Sequence, residues 1–412
     1  MIGKKNLLLI KMTTKIKIWL ANHKNLVINC LLVMFGLAVA LVAGELAVRI
    51  LHPSLVKSDP ILGNVARPIG DRDANGFRNA QVLKTAEIVA LGDSQTEGNN
   101  ATREEAWPQV LGQLSHKTVY QMALGGWNSA QAYYLYDQAL ELKPKVIVFS
   151  FYFGNDLIEA QTLVYSKDYW QAWRQKNQAK PVASSSPINY RLVLQSGLEP
   201  GSFRLTILAG RNWLRNHFKL YELLGNSTRS LREALNLAPN KVEKQTQVEA
   251  LAKKHPEIAY FYEEEPVSSL LSPGYRVDTV DIHDPLASDG WRLTQEFIKG
   301  MKAKADKSGV IFVLNVIPTK EMVYLNHSLH TTGQVPELFN NYYAKETELA
   351  QTVKTFCFQQ GLNCHFSLPA LTSGLDNHVV IYGRTMDGHP IAAGYKLIAE
   401  SVNNYLQRYF NF

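Results

Sequence analysis

Cysteine is scarce in this chain, with three among 412 residues, too few for a scaffold held together by disulfides. Acidic residues are missing altogether from the first 25 positions. No internal repeat is visible, which removes solenoids and propellers. A hydrophobic share of 46% and a charged share of 19% exclude a disordered chain. The length suits one large domain or two smaller ones. The formal charge of +7 is local: Lys4, Lys5, Lys11, Lys15, Lys17 and Lys24 supply six of the 43 basic groups, and the other 37 nearly balance the 36 acids. Such a distribution reports topology and gives no surface for nucleic acid.

An apolar run directly after the lysines accounts for them. Leu26 to Ala43 is apolar apart from Asn29 and Cys30, and at about 1.5 Å per residue it approaches the roughly 30 Å of bilayer hydrocarbon. Lysine on one side, with only Glu45 and Arg49 just past the other, predicts a single-pass anchor with a cytoplasmic N-terminus and an extracytoplasmic bulk. Trp19 is placed to meet the interface. A cleaved signal peptide is the competing reading, since Ala38-Val39-Ala40 offers a small-residue cleavage site. Export is expected in either case. Cys30 falls in the span, while Cys357 and Cys364 stand seven apart, either bonded or as two unpaired structural thiols.

The chain divides into a basic segment (1–25), the anchor (26–43), a linker (44–83), a core (84–156 and 289–412) and an insertion or cap (157–288). From residue 84, short apolar runs alternate with helical patterns, as in an open parallel sheet. Strands are predicted over 86–91, 118–124, 146–153, 310–317 and 363–368. Helices are predicted entering at Pro108 and over 128–142, 291–307, 336–358 and 390–409. The fold class expected is α/β, a three-layer sandwich around a roughly five-stranded parallel sheet. The insertion reads as largely helical, with a soft Ser184-Ser185-Ser186-Pro187 stretch, an amphipathic segment from Trp213 to Leu224 and an acidic run at Glu263-Glu264-Glu265.

Gly92-Asp93-Ser94 stands where the first strand stops, at the sheet edge where open α/β folds bind ligands. Thr96 occupies the position two after the serine, so the G-x-S-x-G elbow is absent. The second strand runs into Leu124-Gly125-Gly126-Trp127-Asn128 and the third into Gly154-Asn155-Asp156. Asp387-Gly388-His389-Pro390 precedes the last helix. Attack on an ester carbonyl needs an oxygen nucleophile, for which Ser94 is placed, and a base, for which His389 is placed. A glycine lets backbone approach the reacting oxygen, and asparagine supplies a neutral donor.

Serine, glycine, asparagine and aspartate–histidine, in that order and with the first three each at a strand end, resemble the four blocks of the SGNH (GDSL-type) hydrolases. The match covers residues 86–98, 117–131, 145–157 and 385–400, and Asn75-Gly76-Phe77-Arg78 resembles a stretch of membrane-anchored bacterial members. The resemblance implies a catalytic set of Ser94, His389 and Asp387, and an oxyanion hole of the Ser94 N–H, the Gly126 N–H and the Asn155 amide. The acid and histidine are two apart here, where many members space them by three. Asp376-Asn377-His378 has the same spacing without the helix block after it. Asp93 and Asp156 are expected to hold loops.

Trp127 is a candidate substrate-binding wall for a sugar ring, and Tyr165, Tyr169, Trp170 and Trp173 are further aromatics for which packing is the plainer role. His327, His330 and His283 hint at a metal site, but no cysteine or carboxylate pattern joins them, so they are expected to be scattered surface histidines. No cofactor is expected. The function expected is an exported, membrane-anchored esterase forming an acyl-enzyme on Ser94, with an ester-bearing small molecule, glycan or lipid as substrate. An O-acetyltransferase acting on a cell-surface polysaccharide shares every residue named, and a silent glycan-binding module is a third reading.

Overall fold

The computed structural model describes residues 23–51, 59–68, 70–177, 196, 200–221, 223–225 and 241–412. Lys4 to Lys17, Trp19 and the Ser184–Pro187 stretch lie outside the described residues. The chain forms two compact units, one of Met1–Lys57 with Ile207–Ala238 and the other of Ser58–Thr206 with Pro239–Phe412. The insertion expected over 157–288 is therefore shared between them, and most of it belongs with the sheet.

In the first unit a single helix, Lys24–Leu51, carries the apolar run and continues eight residues past Ala43. Leu32, Phe35, Leu41 and Val42 are all more than half exposed. Its window Leu32–Leu51 has a mean hydropathy of 2.0, so this helix is long and apolar enough to cross a membrane.

The second unit holds strands β1 (Ile88–Gly92), β2 (Val119–Ala123), β3 (Val146–Tyr152), β4 (Tyr260–Tyr262), β5 (Ser269–Leu271), β6 (Ile311–Ile317) and β7 (Asn363–Phe366). Five of them form a parallel sheet in the order β2-β1-β3-β6-β7, and β4 and β5 pair as a small antiparallel ribbon. Ile88 stands opposite both Val119 and Val146, which sets β1 between β2 and β3. All seven residues of β3 are buried, as a parallel strand covered on both faces requires. Alternate residues of β1 feed two cores. Val89 and Leu91 meet Phe149, Trp291 and Phe356 on one face, while Ile88 and Ala90 meet Val148, Tyr324 and Tyr395 on the other. The result is the three-layer α/β sandwich expected. Successive crossovers diverge between β1 and β3, and their C-terminal ends border the crevice that this divergence opens.

The helix Pro285–Ser308 begins six residues before the predicted start at Trp291. Asp284 accepts hydrogen bonds from the Leu286 and Ala287 N–H groups, and Pro285 suits the first turn, so capping chemistry outweighed the apolar periodicity. At Gly290 this helix crosses the helix Asp156–Ser166 so closely that an added Cβ would lie 2.1 Å from the Leu157 carbonyl oxygen. That crossing fixes the segment after β3. The helices Pro273–Val280, Lys320–Thr332 and Leu368–Asp376 and the β4–β5 ribbon were not anticipated.

Cys357 and Cys364 are bonded, with Cα atoms 6.3 Å apart, and join the helix Asn340–Gln359 to the edge strand β7. Replacing both by serine is expected to lower unfolding free energy by about 2–3 kcal/mol, from loop closure in the denatured chain. Gly290→Ala is expected to cost about 1–3 kcal/mol by forcing two helices apart. Urea midpoints of the purified chain measure both.

Candidate active site

β1 delivers Asp93 and Ser94 to the sheet edge. Asp93 caps the four-residue helix Ser94–Glu97 by accepting the Gln95 N–H at 2.9 Å. Burial pushes the Asp93 carboxyl up to about 6, against that hydrogen bond and the positive field of His389. Asp156 stands at the end of β3, where its carboxylate accepts the Tyr152 N–H at 2.9 Å. Burial and the nearby Asp93 charge raise its pKa too. Both aspartates hold loops, as their positions predict.

The opposite side of the site comes from the far end of the chain. His389 Nε2 lies 2.7 Å from Ser94 Oγ, and its Nδ1 lies 2.5 Å from Asp387 Oδ1. The same Asp387 oxygen accepts the His389 backbone N–H at 3.0 Å. A spacing of two residues thus places the acid on the imidazole through a tight Asx-type turn. Burial opposes ionisation of Asp387, but the hydrogen bonds and charge of His389 outweigh it and hold the carboxyl below the ordinary carboxylate range.

Ser94, Gly126, Asn155 and His389 all line one cavity of about 860 Å³, together with Asn64, Asn128, Tyr152 and Arg276. Gly126 has φ of +80°, a conformation in which a side chain would strain the loop. Asn155 donates one Nδ2 hydrogen to Glu159 at 2.9 Å, which leaves a second amide hydrogen to spare. Four residues predicted from separate blocks therefore meet at one place, with Asp387 behind the histidine.

Several residues that position the site carried little signal in the sequence. Glu97, three after Ser94, accepts the Gly125 N–H at 2.7 Å and pairs with Arg72, so the glycine loop is locked to the serine helix. Arg78, from the Asn75–Arg78 stretch, donates to the carbonyls of Glu97, Gly98 and Ala101. Lys320 is fully buried and donates to the carbonyls of Leu270, Thr385 and Asp387, anchoring the loop that carries the histidine. Burial pulls its ammonium down to about 8. Arg276 donates to the Gly154 carbonyl at 2.8 Å, just before Asn155. Of these, Arg78 and Glu97 sit in stretches with a recognisable sequence marker, and neither was given a role from it.

Two expectations are corrected. Trp127 is 2% exposed, packs edge-on against Phe77 and donates its indole N–H to the Asn64 carbonyl. It supports the cavity from behind and cannot wall a sugar subsite. His327 is not a surface histidine: it is wholly buried between Asp376 and Glu264, and His330 pairs with the same Asp376. Asp376 is thereby committed to those two histidines and does not form a pair with His378. His283 stands apart with Glu348. Among the described residues no histidine, cysteine and carboxylate group has a metal-binding arrangement. Trp170 and Trp173 pack on Phe297, and Tyr169 meets Trp170 edge-on.

No family model matches the chain, and no curated protein does. Solved structures do. A candidate lipolytic protein of the G-D-S-L family from Desulfitobacterium hafniense DCB-2 is similar at 14% identity and a TM-score of 0.34, covering 77% of this chain and 98% of that one. A candidate acylhydrolase from Bacteroides fragilis NCTC 9343 is similar at 10% identity and a TM-score of 0.32, covering 78% and 86%.

The depressed Asp387 pKa has a direct check. Its ionised form is favoured by folding above the ordinary aspartate value of about 3.9, and that advantage disappears as pH falls through the lower folded value. Carboxyl carbon NMR is expected to show Asp387 still ionised at pH 4, and His389→Ala to bring its titration back toward the ordinary range.

Proposed function

We propose that this protein is an ester-hydrolysing serine enzyme of the SGNH type, held at a membrane by its N-terminal helix with the catalytic unit exported. The observation that carries the reading is the hydrogen-bonded chain from Asp387 through His389 to Ser94, opening into a cavity that Gly126 and Asn155 share. His389 Nε2 takes the Ser94 proton as Oγ attacks the ester carbonyl carbon. The oxygen that gains charge accepts hydrogen bonds from the Ser94 and Gly126 N–H groups and from the Asn155 amide. Asp387 stabilises the imidazolium and keeps its ring turned to the serine. The proton then passes to the departing alkoxide, leaving an acyl group on Ser94, and a water activated by the same histidine releases it.

The cavity walls mix amides, Arg276 and a few apolar side chains such as Leu62 and Ile158. That supports a small acyl group, such as acetyl, on a polar alcohol over a long-chain lipid. A bonded Cys357–Cys364 pair supports an oxidising compartment and hence export.

Ser94→Ala is expected to abolish turnover of 4-nitrophenyl acetate and labelling by a fluorophosphonate, with the circular dichroism spectrum unchanged. Asn155→Ala is expected to lower kcat by about 10²–10³ with little change in KM. Full activity in the serine variant would refute the mechanism, and absence of labelling in the parent protein would favour a silent binding module. Transfer of acetyl to added oligosaccharide, in place of free acetate, would make the enzyme an acetyltransferase on the same residues.

A further inference from the structure

Part of the insertion folds against the N-terminal helix and not with the sheet. From Ile207 onward, the helix Phe203–His217 and the helical turns after it belong to the same compact unit as Lys24–Leu51. Glu45, just past the end of the apolar run, accepts the backbone N–H groups of Lys219 at 2.9 Å and Leu220 at 2.8 Å. Gly44 lets Leu220 come close, since an added Cβ would lie 2.9 Å from its Cδ2. The two elements are thus pinned together at one level along the N-terminal helix.

The pinned element has a composition that water does not suit. Ile207, Trp213, Phe218 and Leu224 are each 43% exposed or more. Arg211 and Arg215 succeed one another at a helical turn and Lys219 comes next, against one acid, Glu222, between Ile207 and Gly225. An open apolar slot of about 440 Å³ runs between Leu41 and Leu46 on one side and Leu214, Phe218 and Leu224 on the other.

We propose that residues 207–225 form a second membrane contact, an amphipathic element lying in the headgroup layer of the bilayer that the N-terminal helix crosses, with anionic phospholipid as its ligand. The proposal rests on reading that helix as a span. Three observations select lipid as the occupant. With the apolar run 26–43 as the part that crosses the hydrocarbon, Glu45 is the first charged side chain beyond it, so a segment hydrogen-bonded to it lies at headgroup depth. Trp213 and Phe218 are side chains that settle at this level, and Arg211, Arg215 and Lys219 meet lipid phosphates there. The apolar slot is continuous with the lipid-facing side of the span, where an acyl chain fills it without any protein partner.

The full chain in vesicles of phosphatidylcholine with phosphatidylglycerol tests this, with tryptophan emission read against brominated lipids. Trp213→Phe is expected to remove about half of the lipid-quenched emission, while ester turnover is unchanged. Arg211→Glu with Arg215→Glu is expected to weaken quenching of Trp213 by at least twofold in these vesicles and to leave it unaltered in phosphatidylcholine alone. Trp213 quenched by aqueous acrylamide and insensitive to brominated lipid would overturn the proposal. Shielding from both quenchers, with cross-linking between chains, would overturn it in favour of a second copy. Release of the whole protein by alkaline carbonate would overturn the span itself, a result distinguishable from failure of this contact and independent of the esterase reading.

Discussion

One hydrogen bond between residues 295 apart in sequence, joining Ser94 and His389, is the contact around which the loops at the sheet's edge are arranged. The serine is placed by β1, central enough in the sheet to be held by β2 on one side and β3 on the other. The histidine is placed by a loop at the start of the helix Ala392–Phe410, which packs on the helix Trp107–Ser115. Tyr395 of that helix donates to the Asn99 carbonyl and so ties it to the loop leaving the serine helix. Serine and histidine meet because both helices cover the same face of the sheet.

Holding the site open has an electrostatic cost. Asp93, Asp156, Glu321 and Lys320 are all buried beneath or beside it, and Arg276 nearly so. Isolated charges there would be expensive, and each is matched by a hydrogen bond or an opposite charge. Glu321 illustrates the balance: burial opposes its ionisation, but Arg276 and Lys320 outweigh that and keep its pKa low. Arg276 and Lys320 fix the backbone at Gly154, Thr385 and Asp387, so charges that burden stability also hold the loops that carry Asn155 and His389.

The five core strands and the candidate site residues were legible in sequence because strands covered on both faces read as unbroken apolar runs and three of the candidate residues stand at their ends. Ser94, Gly126 and Asn155 each follow such a run, and Asp387 and His389 were marked by their place before the last helix. Glu97 lies within the first matched block but was given no role, and Lys320 had no marker: a glutamate in a short helix and a lysine after a strand look like solvated residues until the fold brings a backbone N–H or carbonyl to them. The helix Lys320–Thr332 escaped notice for a related reason, since its first turn, Lys320-Glu321, is polar yet buried. Trp127 was misread because a neighbour of a cavity residue need not face the cavity; the segment at Asn64 covers it.

The two-residue spacing of Asp387 and His389 has a mechanical result. Since one carboxylate oxygen grips both the ring and the main chain of the histidine, carboxylate and imidazole form one rigid hook. The orientation of the ring is therefore set within the loop itself, and the gap from that hook to the Ser94 hydroxyl is set by where Lys320 pins the loop.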